Sequence, residues 1–224
     1  MSVDAATVAE RAARVRDRIA AAGGDPAAVT LVAVTKRFGP EVVRAAVDAG
    51  LADVGENYAQ ELAAKAAEVG DGPRWHFVGV LQRNKVRTVA GLVHLWQSVD
   101  RLGAGQEIAK RAPGAAVLAQ VDLAGVPGRG GCPPEQVPDL VAGLRDLGLD
   151  VRGLMAVGPP GDPEDARPGF RLVRELADRL GLPERSMGMT GDLEVAVAEG
   201  STMVRVGTAL FGPRAGSDGL RHYA

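Results

Sequence analysis

The feature that most constrains the fold is a regular alternation of short apolar runs with helix-like segments. Strand-like runs, rich in β-branched residues, occur at residues 31–35, 52–54, 75–78, 94–99, 116–123, 151–157, 185–187 and 202–206. Helix-like segments separate them, at residues 41–49, 59–69, 101–110, 135–147, 164–180 and 193–198. Because strand and helix alternate with no separate block of strands, the strands should pair in parallel with the helices packed outside. Eight such units predict a closed (β/α)8 TIM barrel.

A lead-in helix precedes the first strand. Val8, Ala12, Val15 and Ile19 recur on one helical face, and Gly23 with Gly24 closes the segment. The length of 224 residues lies near the lower end for a barrel, so the loops should be short and residues 1–224 should form a single domain. A doubly wound open sheet is the competing architecture, but no Gly-x-Gly-x-x-Gly turn follows an early strand.

Charge and composition exclude several classes of partner. The net charge is -2 with both signs interleaved, which predicts binding neither to nucleic acid nor to an anionic membrane. The single cysteine, Cys132, fits a reducing compartment, and no stretch is apolar enough to span a bilayer. His76, His94 and His222 do not have metal-ligand spacing. We therefore expect a cytoplasmic protein with no metal site and no membrane attachment.

Lys36 is the first candidate functional residue, because it lies where the first strand passes into its loop. In a parallel barrel the loops that follow the strands build the binding site, so Lys36 should face it. An amine beside buried apolar surface can lose its proton and condense with a carbonyl, whereas an arginine stays charged. Lys36 is thus the candidate for a Schiff base.

The loops after the last two strands predict an anion site. They contain small hydroxyl residues and glycines, namely Ser186, Gly188, Thr190, Gly207 and Thr208. In barrels a phosphate is commonly bound between these two loops by backbone N–H groups. A lysine and a phosphate site at one face suggest a ligand with an aldehyde and a phosphate, such as pyridoxal 5'-phosphate (PLP). A Schiff-base aldolase for a phosphorylated sugar is also compatible with this pattern.

A set of motifs along the chain resembles those of the pyridoxal phosphate homeostasis proteins. They stand in the family's order at residues 33–36, 55–58, 75–79, 81–85, 98–101, 152–155, 186–189 and 200–212. The resemblance implies a barrel similar to the N-terminal domain of bacterial alanine racemase, with PLP held as an aldimine on Lys36. It further implies a protein that acts in intracellular PLP (vitamin B6) homeostasis, with PLP-dependent apoenzymes as transient partners. With no second domain to share, we expect a monomer.

The same resemblance implies a set of cofactor-binding residues. They are Lys36, Asn57, Met155, Ser186, Met187, Gly188, Arg205, Gly207 and Thr208. Within this set, the segment that begins at Ser186 would hold the phosphate together with Gly207 and Thr208. Arg205 would face the pyridine nitrogen, and Asn57 and Met155 would line the ring pocket. The fifth loop departs from the family pattern, because Arg129 stands where a lysine is usual.

The predicted chemistry favours a carrier over an enzyme. An arginine at the pyridine nitrogen keeps the ring neutral and weakens it as an electron sink. Racemisation additionally needs a second acid-base group opposite the lysine. In two-domain racemases a tyrosine from another domain serves this role, and we expect no such domain here; Tyr58 and Tyr223 are poor substitutes. We therefore predict no catalytic residue, with a weakly active, monomeric PLP-dependent amino-acid racemase as the alternative.

Overall fold

A computed structural model describes residues 3–125 and 129–213. Gly128, His222 and Tyr223 lie outside the described residues. The eight strands form one closed barrel in sequence order, and the last strand pairs in parallel with the first, from Thr30 opposite Met203 to Ala33 opposite Val206. The predicted (β/α)8 barrel with an extra N-terminal helix is confirmed, and the open sheet is excluded.

The strands are β1 Thr30–Val34, β2 Asp53–Glu56, β3 Arg74–Phe77, β4 Val93–Val99, β5 Ala116–Val121, β6 Asp150–Ala156, β7 Glu184–Ser186 and β8 Met203–Val206. The helices are α1 Ala5–Ala21, α2 Pro40–Asp48, α3 Ala59–Val69, α4 Arg83–Val89, α5 Leu102–Arg111, α6 Val137–Asp146, α7 Arg167–Arg179, α8 Leu193–Ala198 and α9 Thr208–Phe211. Short 3₁₀ turns, Pro134–Gln136 and Pro163–Ala166, precede α6 and α7.

The core has an inner and an outer layer because side chains alternate along each strand. Val32, Leu95, Leu118 and Met155 pack inside the barrel. Their strand neighbours point outward and pack against the helices in two larger clusters. This arrangement leaves the loops after the strands to form one end of the barrel.

The lead-in helix α1 forms as predicted. Its four apolar positions, Val8, Ala12, Val15 and Ile19, are fully buried and pack in the cluster that contains β8 and α9 residues. Asp4 caps the helix by accepting a hydrogen bond from the Thr7 N–H at 2.7 Å. Within the described residues, no helix combines the length and the apolarity that a bilayer span requires.

The helices α4 and α9 were not predicted from apolar periodicity. In α4 only Val86 and Val89 are buried, so polar residues dominate its sequence. In α9 only four residues are helical, which is too few for a period to be recognised. The fifth strand also ends at Val121 rather than at residue 123, because the Asp122 carboxylate accepts hydrogen bonds from the Ala124 and Gly125 N–H groups and starts a turn.

A cluster of charges on α7 and α8 should make stability pH-dependent. The buried Glu199 carboxylate lies 3.0 Å from Arg167, 3.1 Å from Arg171 and 3.3 Å from Arg174. Hydrogen bonds from Arg171 and then Arg167 outweigh burial and lower the pKa of Glu199 below its ordinary 4.5. The stabilisation is therefore complete above pH 4.5 and is lost as the pH falls through the folded-state pKa.

We expect Glu199→Gln to lower the free energy of unfolding at pH 7 by about 1 to 2 kcal/mol, since hydrogen bonds between charged groups are lost. At pH 3 the variant and the parent should differ less. Urea unfolding at the two pH values measures both differences. An equal loss at pH 7 and pH 3 would show that the charge of Glu199 is not the cause.

Candidate functional site

A cavity of about 490 Å³ lies at the end of the barrel where the strands pass into their loops. Its apolar wall comprises Val34, Phe38, Val78, Val80, Met155, Val157 and Met189. Its polar groups belong to Lys36, Asn57, Gln120, Arg129, Thr190, Arg205 and Thr208, with backbone exposed at Gly79, Gly191 and Gly207. An apolar cavity of this size with a few convergent polar groups has the properties of a small-molecule site.

Six of the nine predicted site residues line this one cavity. They are Lys36, Asn57, Met155, Arg205, Gly207 and Thr208. Ser186, Met187 and Gly188 do not line it. The Ser186 hydroxyl is buried behind Arg205, and Met187 packs in the core between barrel and helices. Gly188 is buried against α8, where an added Cβ would lie 2.6 Å from the Ala196 Cβ.

In the loop after β7, Thr190 lines the cavity as predicted, whereas Ser186 and Gly188 do not and Gly191, which was not predicted, does. Thr190 and Gly191, farther along the same loop, line the cavity together with Gly207 and Thr208. The Thr190 hydroxyl accepts a hydrogen bond from the Ala209 N–H at 3.4 Å, which joins the loops after β7 and β8. The Arg18 guanidinium of α1 donates to the Thr190 carbonyl at 2.8 Å and fixes the loop from outside.

Lys36 lies in a constrained turn directly after β1. It is half-buried, and the next residue, Arg37, has a φ of +62°, a backbone region that residues other than glycine seldom adopt. The Arg37 N–H donates to the Glu61 carboxylate of α3 at 2.5 Å. This contact holds the turn in a conformation that places Lys36 on the cavity wall.

A buried ionic cluster lies behind the Lys36 turn and was not predicted. The Lys65 ammonium donates to the Thr35 carbonyl at 2.7 Å, to Glu56 at 2.5 Å and to Glu61 at 2.9 Å. The Thr35 hydroxyl donates to the same Glu56 oxygen at 2.7 Å. Burial raises the pKa of Glu56 above its ordinary value, although Lys65 acts in the opposite direction. The cluster ties β1, β2 and α3 together beside Lys36.

Asn57 and Gly79 form a close backbone contact at the cavity edge. An added Cβ at Gly79 would lie 2.1 Å from the Asn57 carbonyl oxygen and 2.6 Å from its Cα. The Asn57 Oδ1 atom is buried and has no hydrogen-bond partner among the described residues. Since a buried acceptor without a donor costs free energy, this atom is suited to a ligand that donates.

We expect Gly79→Ala to move Asn57 and to destabilise the fold by about 1 to 3 kcal/mol, as overpacking does. Gly91→Ala is the matched control, because an added Cβ there meets nothing within 4 Å. Thermal unfolding of the two variants measures the difference. Equal melting temperatures would show that the Asn57 backbone yields without cost.

Arg205 is a buried cation at the base of the cavity. Its Nη1 donates to the Ser186 carbonyl at 2.7 Å and its Nη2 to the Ala156 carbonyl at 2.7 Å. Burial lowers the pKa of Arg205 to about 10, so the guanidinium stays charged at pH 7. Within residues 3–125 and 129–213, no carboxylate lies at ion-pair distance from it.

Arg129, in the loop after β5, lies on the cavity wall. Its Nη1 donates to the Gly158 carbonyl at 2.8 Å, which joins the loops after β5 and β6. The Gln120 side chain donates to the Arg129 and Gly130 carbonyls from inside the barrel. These contacts hold the Arg129 guanidinium at the cavity wall.

Comparison with known proteins connects this geometry to a family. Residues 3–215 match the family described as alanine racemase, N-terminal domain. The pyridoxal phosphate homeostasis protein of Pseudomonas aeruginosa is 44% identical over 223 residues, covering 96% of this chain and 97% of that protein. The chain belongs to the pyridoxal phosphate homeostasis protein family. The family member of Aquifex aeolicus is 41% identical over 92% of this chain and 97% of its own length.

Solved structures agree with this family assignment. PipY of Synechococcus elongatus without PLP superposes with a TM-score of 0.83 at 34% identity, covering 92% of this chain and all of that one. PipY with PLP bound has a TM-score of 0.76 at 32% identity, over 88% of this chain and all of that one. Alanine racemase of Clostridium difficile, at 15% identity and a TM-score of 0.72, shares the fold.

Proposed function

We propose that this protein binds PLP in the cavity at the end of the barrel and acts in PLP homeostasis. The observation that carries the proposal is that one cavity is lined both by Lys36 and by Thr190, Gly207 and Thr208. PLP supplies an aldehyde, which condenses with an amine with loss of one water, and a phosphate, which accepts hydrogen bonds. The names of the homologous proteins and the PLP-bound structure of PipY support this assignment.

The cavity residues fit this ligand at several points. Lys36 presents an amine, and Thr190, Gly191, Gly207 and Thr208 present hydroxyl and backbone groups for an anion. Asn57 lines the same cavity. Met155 contributes apolar surface for an aromatic ring, and the fixed Arg205 cation faces the cavity.

The residues around the cavity favour a carrier over an amino-acid racemase. A second acid-base group opposite Lys36 would have to be a carboxylate, imidazole, phenol or thiol at the cavity wall. Within the part of the chain that the structure describes, the cavity wall contains none of these. Tyr58 is 48% exposed and is not among the lining residues. If Arg205 faces the pyridine nitrogen of bound PLP, as we propose, it would also weaken the ring as an electron sink.

Further parts of the proposal concern the protein in its cell. We propose that residues 1–224 act as a single domain, that the protein is a cytoplasmic monomer, and that PLP-dependent apoenzymes receive the cofactor in transient contacts. Light scattering on the purified protein at low and high concentration tests the monomer. Transfer of the visible absorption band from the loaded protein to an added apoenzyme tests delivery.

Titration of the purified protein with PLP tests the function. We expect a saturable visible absorption band with one PLP per chain and no solvent exchange of the α-proton of added amino acids. Exchange at a catalytic rate would identify a racemase instead. A protein that shows no band with PLP would refute the proposal and would direct attention to phosphorylated sugars.

A further inference from the structure

A continuous chain of hydrogen-bonded side chains, buried except at the partly exposed Asp53, crosses the barrel interior and ends at Arg205. The Asp53 carboxylate lies 2.9 Å from His76 Nε2, and His76 Nδ1 lies 2.7 Å from the Gln97 amide nitrogen. The Ser186 hydroxyl donates to Gln97 Oε1 at 2.7 Å and accepts from Arg205 Nη1 at 2.6 Å. We refer to Asp53, His76, Gln97 and Ser186 as the interior chain. Its members come from β2, β3, β4 and β7.

The placement of the Gln97 amide nitrogen and oxygen sets the hydrogen-bond directions in the interior chain. The Gln97 amide group donates to His76 Nδ1, so that ring nitrogen is the acceptor and Nε2 carries the hydrogen directed at Asp53. The same amide donates to the Met203 sulfur at 3.0 Å, which uses its second hydrogen. The single hydrogen of the Ser186 hydroxyl is used toward Gln97 Oε1, so a lone pair of that oxygen faces Arg205.

The interior chain also provides a link to a negative charge. Burial of a cation without a close counter-ion costs several kcal/mol, and Asp192 favours the Arg205 charge only from beyond ion-pair distance among the described residues. The far end of the chain is Asp53. Burial opposes its ionisation, but hydrogen bonds from His76 and Arg74 outweigh burial and hold the pKa of Asp53 well below its ordinary value. A row of aligned hydrogen bonds that ends at an anion is polarised toward the cation at its other end.

We propose that Gln97, together with His76 and Ser186, positions the Arg205 guanidinium for the ligand in the cavity. Gln97 is fully buried and does not line the cavity, so it acts through Ser186. This inference rests on the proposed function for its ligand, PLP. The orientation of Arg205, however, can be measured without any ligand.

Three variants of the protein test the inference. Gln97→Met removes the amide nitrogen and the amide oxygen of Gln97 at similar volume. Ser186→Ala removes the hydroxyl that donates to Gln97. Arg74→Gln is the matched control, because Arg74 donates to the same Asp53 carboxylate at 2.5 Å from the exposed side and lies outside the interior chain. Melting temperatures establish that each variant is folded. Crystal structures without PLP show the position of the Arg205 guanidinium.

We expect Gln97→Met and Ser186→Ala each to raise the Kd for PLP about 10-fold, the equivalent of one hydrogen bond to a charged group. Each should also shift the absorption maximum of the PLP complex and move the guanidinium in the PLP-free crystal. Because both variants break the same chain, the double variant should bind PLP about as well as either single one. Arg74→Gln should change the Kd by less than about twofold, as expected for an exposed ion pair.

Three results would overturn the inference. They are an unchanged Kd and absorption maximum in folded Gln97→Met, an unmoved guanidinium in its crystal structure, and fully additive effects in the double variant. If the parent protein fails to bind PLP, the proposed function is wrong. In that case the crystal structures still decide whether Gln97 positions Arg205.

Discussion

Replacement of Lys36 by alanine should abolish the visible absorption band of the protein with PLP and weaken PLP binding by on the order of 100-fold, about 3 kcal/mol. The reason is that Lys36 is the single lysine among the described residues that line the cavity. The variant keeps Thr190, Gly207 and Thr208, the residues that we propose contact the phosphate. Residual binding should therefore be weak, reversible and without the visible band.

The control for this variant is Lys110→Ala, since Lys110 is an exposed lysine on α5, away from the cavity. It should bind PLP with the affinity and spectrum of the parent. Equilibrium titration of both variants, with fold monitored by far-ultraviolet circular dichroism, makes the comparison. A Lys36→Ala protein that keeps the parent's band would assign the covalent role to another amine.

Replacement of Lys65 by methionine should destabilise the fold by about 3 to 5 kcal/mol, the cost of breaking a buried ion pair from one side. Glu56 is fully buried, and its second oxygen already lacks a hydrogen-bond partner among the described residues. Without Lys65 the Glu56 carboxylate would be a buried, uncompensated charge. The Thr35 carbonyl beside Lys36 would also lose its donor.

This destabilisation should depend on pH with a sign that can be stated in advance. Burial raises the pKa of Glu56 above 4.5, and removal of Lys65 removes the main opposing effect. In the variant the folded state therefore binds the Glu56 proton more tightly than the unfolded state does. The fold should be most weakened at high pH and should regain stability as the pH falls toward 4.5.

Urea unfolding at pH 5 and pH 8 measures the effect of Lys65→Met, and the double variant Lys65→Met with Glu56→Gln is its control. The double variant should recover part of the loss at pH 8, because a neutral amide replaces the unpaired charge. A single variant that loses less than about 1 kcal/mol, the range of an exposed ion pair, would contradict the role given to this cluster.

The fold and the position of Lys36 could be predicted because they depend on local patterns. Apolar runs of strand length mark each β-strand, and a lysine directly after the first run must lie at the end of the barrel where the strands end. The four apolar positions of α1 likewise repeat at helical spacing. Apolar runs and helical spacing can each be recognised from a few neighbouring residues.

The side-chain contacts that could not be predicted from the sequence join elements that are distant along the chain. Ser186 was predicted to hold the phosphate because it is a small hydroxyl residue at the end of the seventh strand, but its hydroxyl donates to Gln97 and it does not line the cavity. Gln97 is 89 residues from Ser186, and no sequence period relates them. Lys65 shows only an i,i+4 relation to Glu61, which resembles an ordinary surface pair.

The most direct test of the whole account is the location of the amine that captures PLP. The protein is incubated with PLP, reduced with borohydride, digested and mapped by mass spectrometry. We expect one reduced PLP adduct per chain, on the peptide that contains Lys36. An adduct distributed over Lys65, Lys85 and Lys110, or no adduct at all, would contradict it.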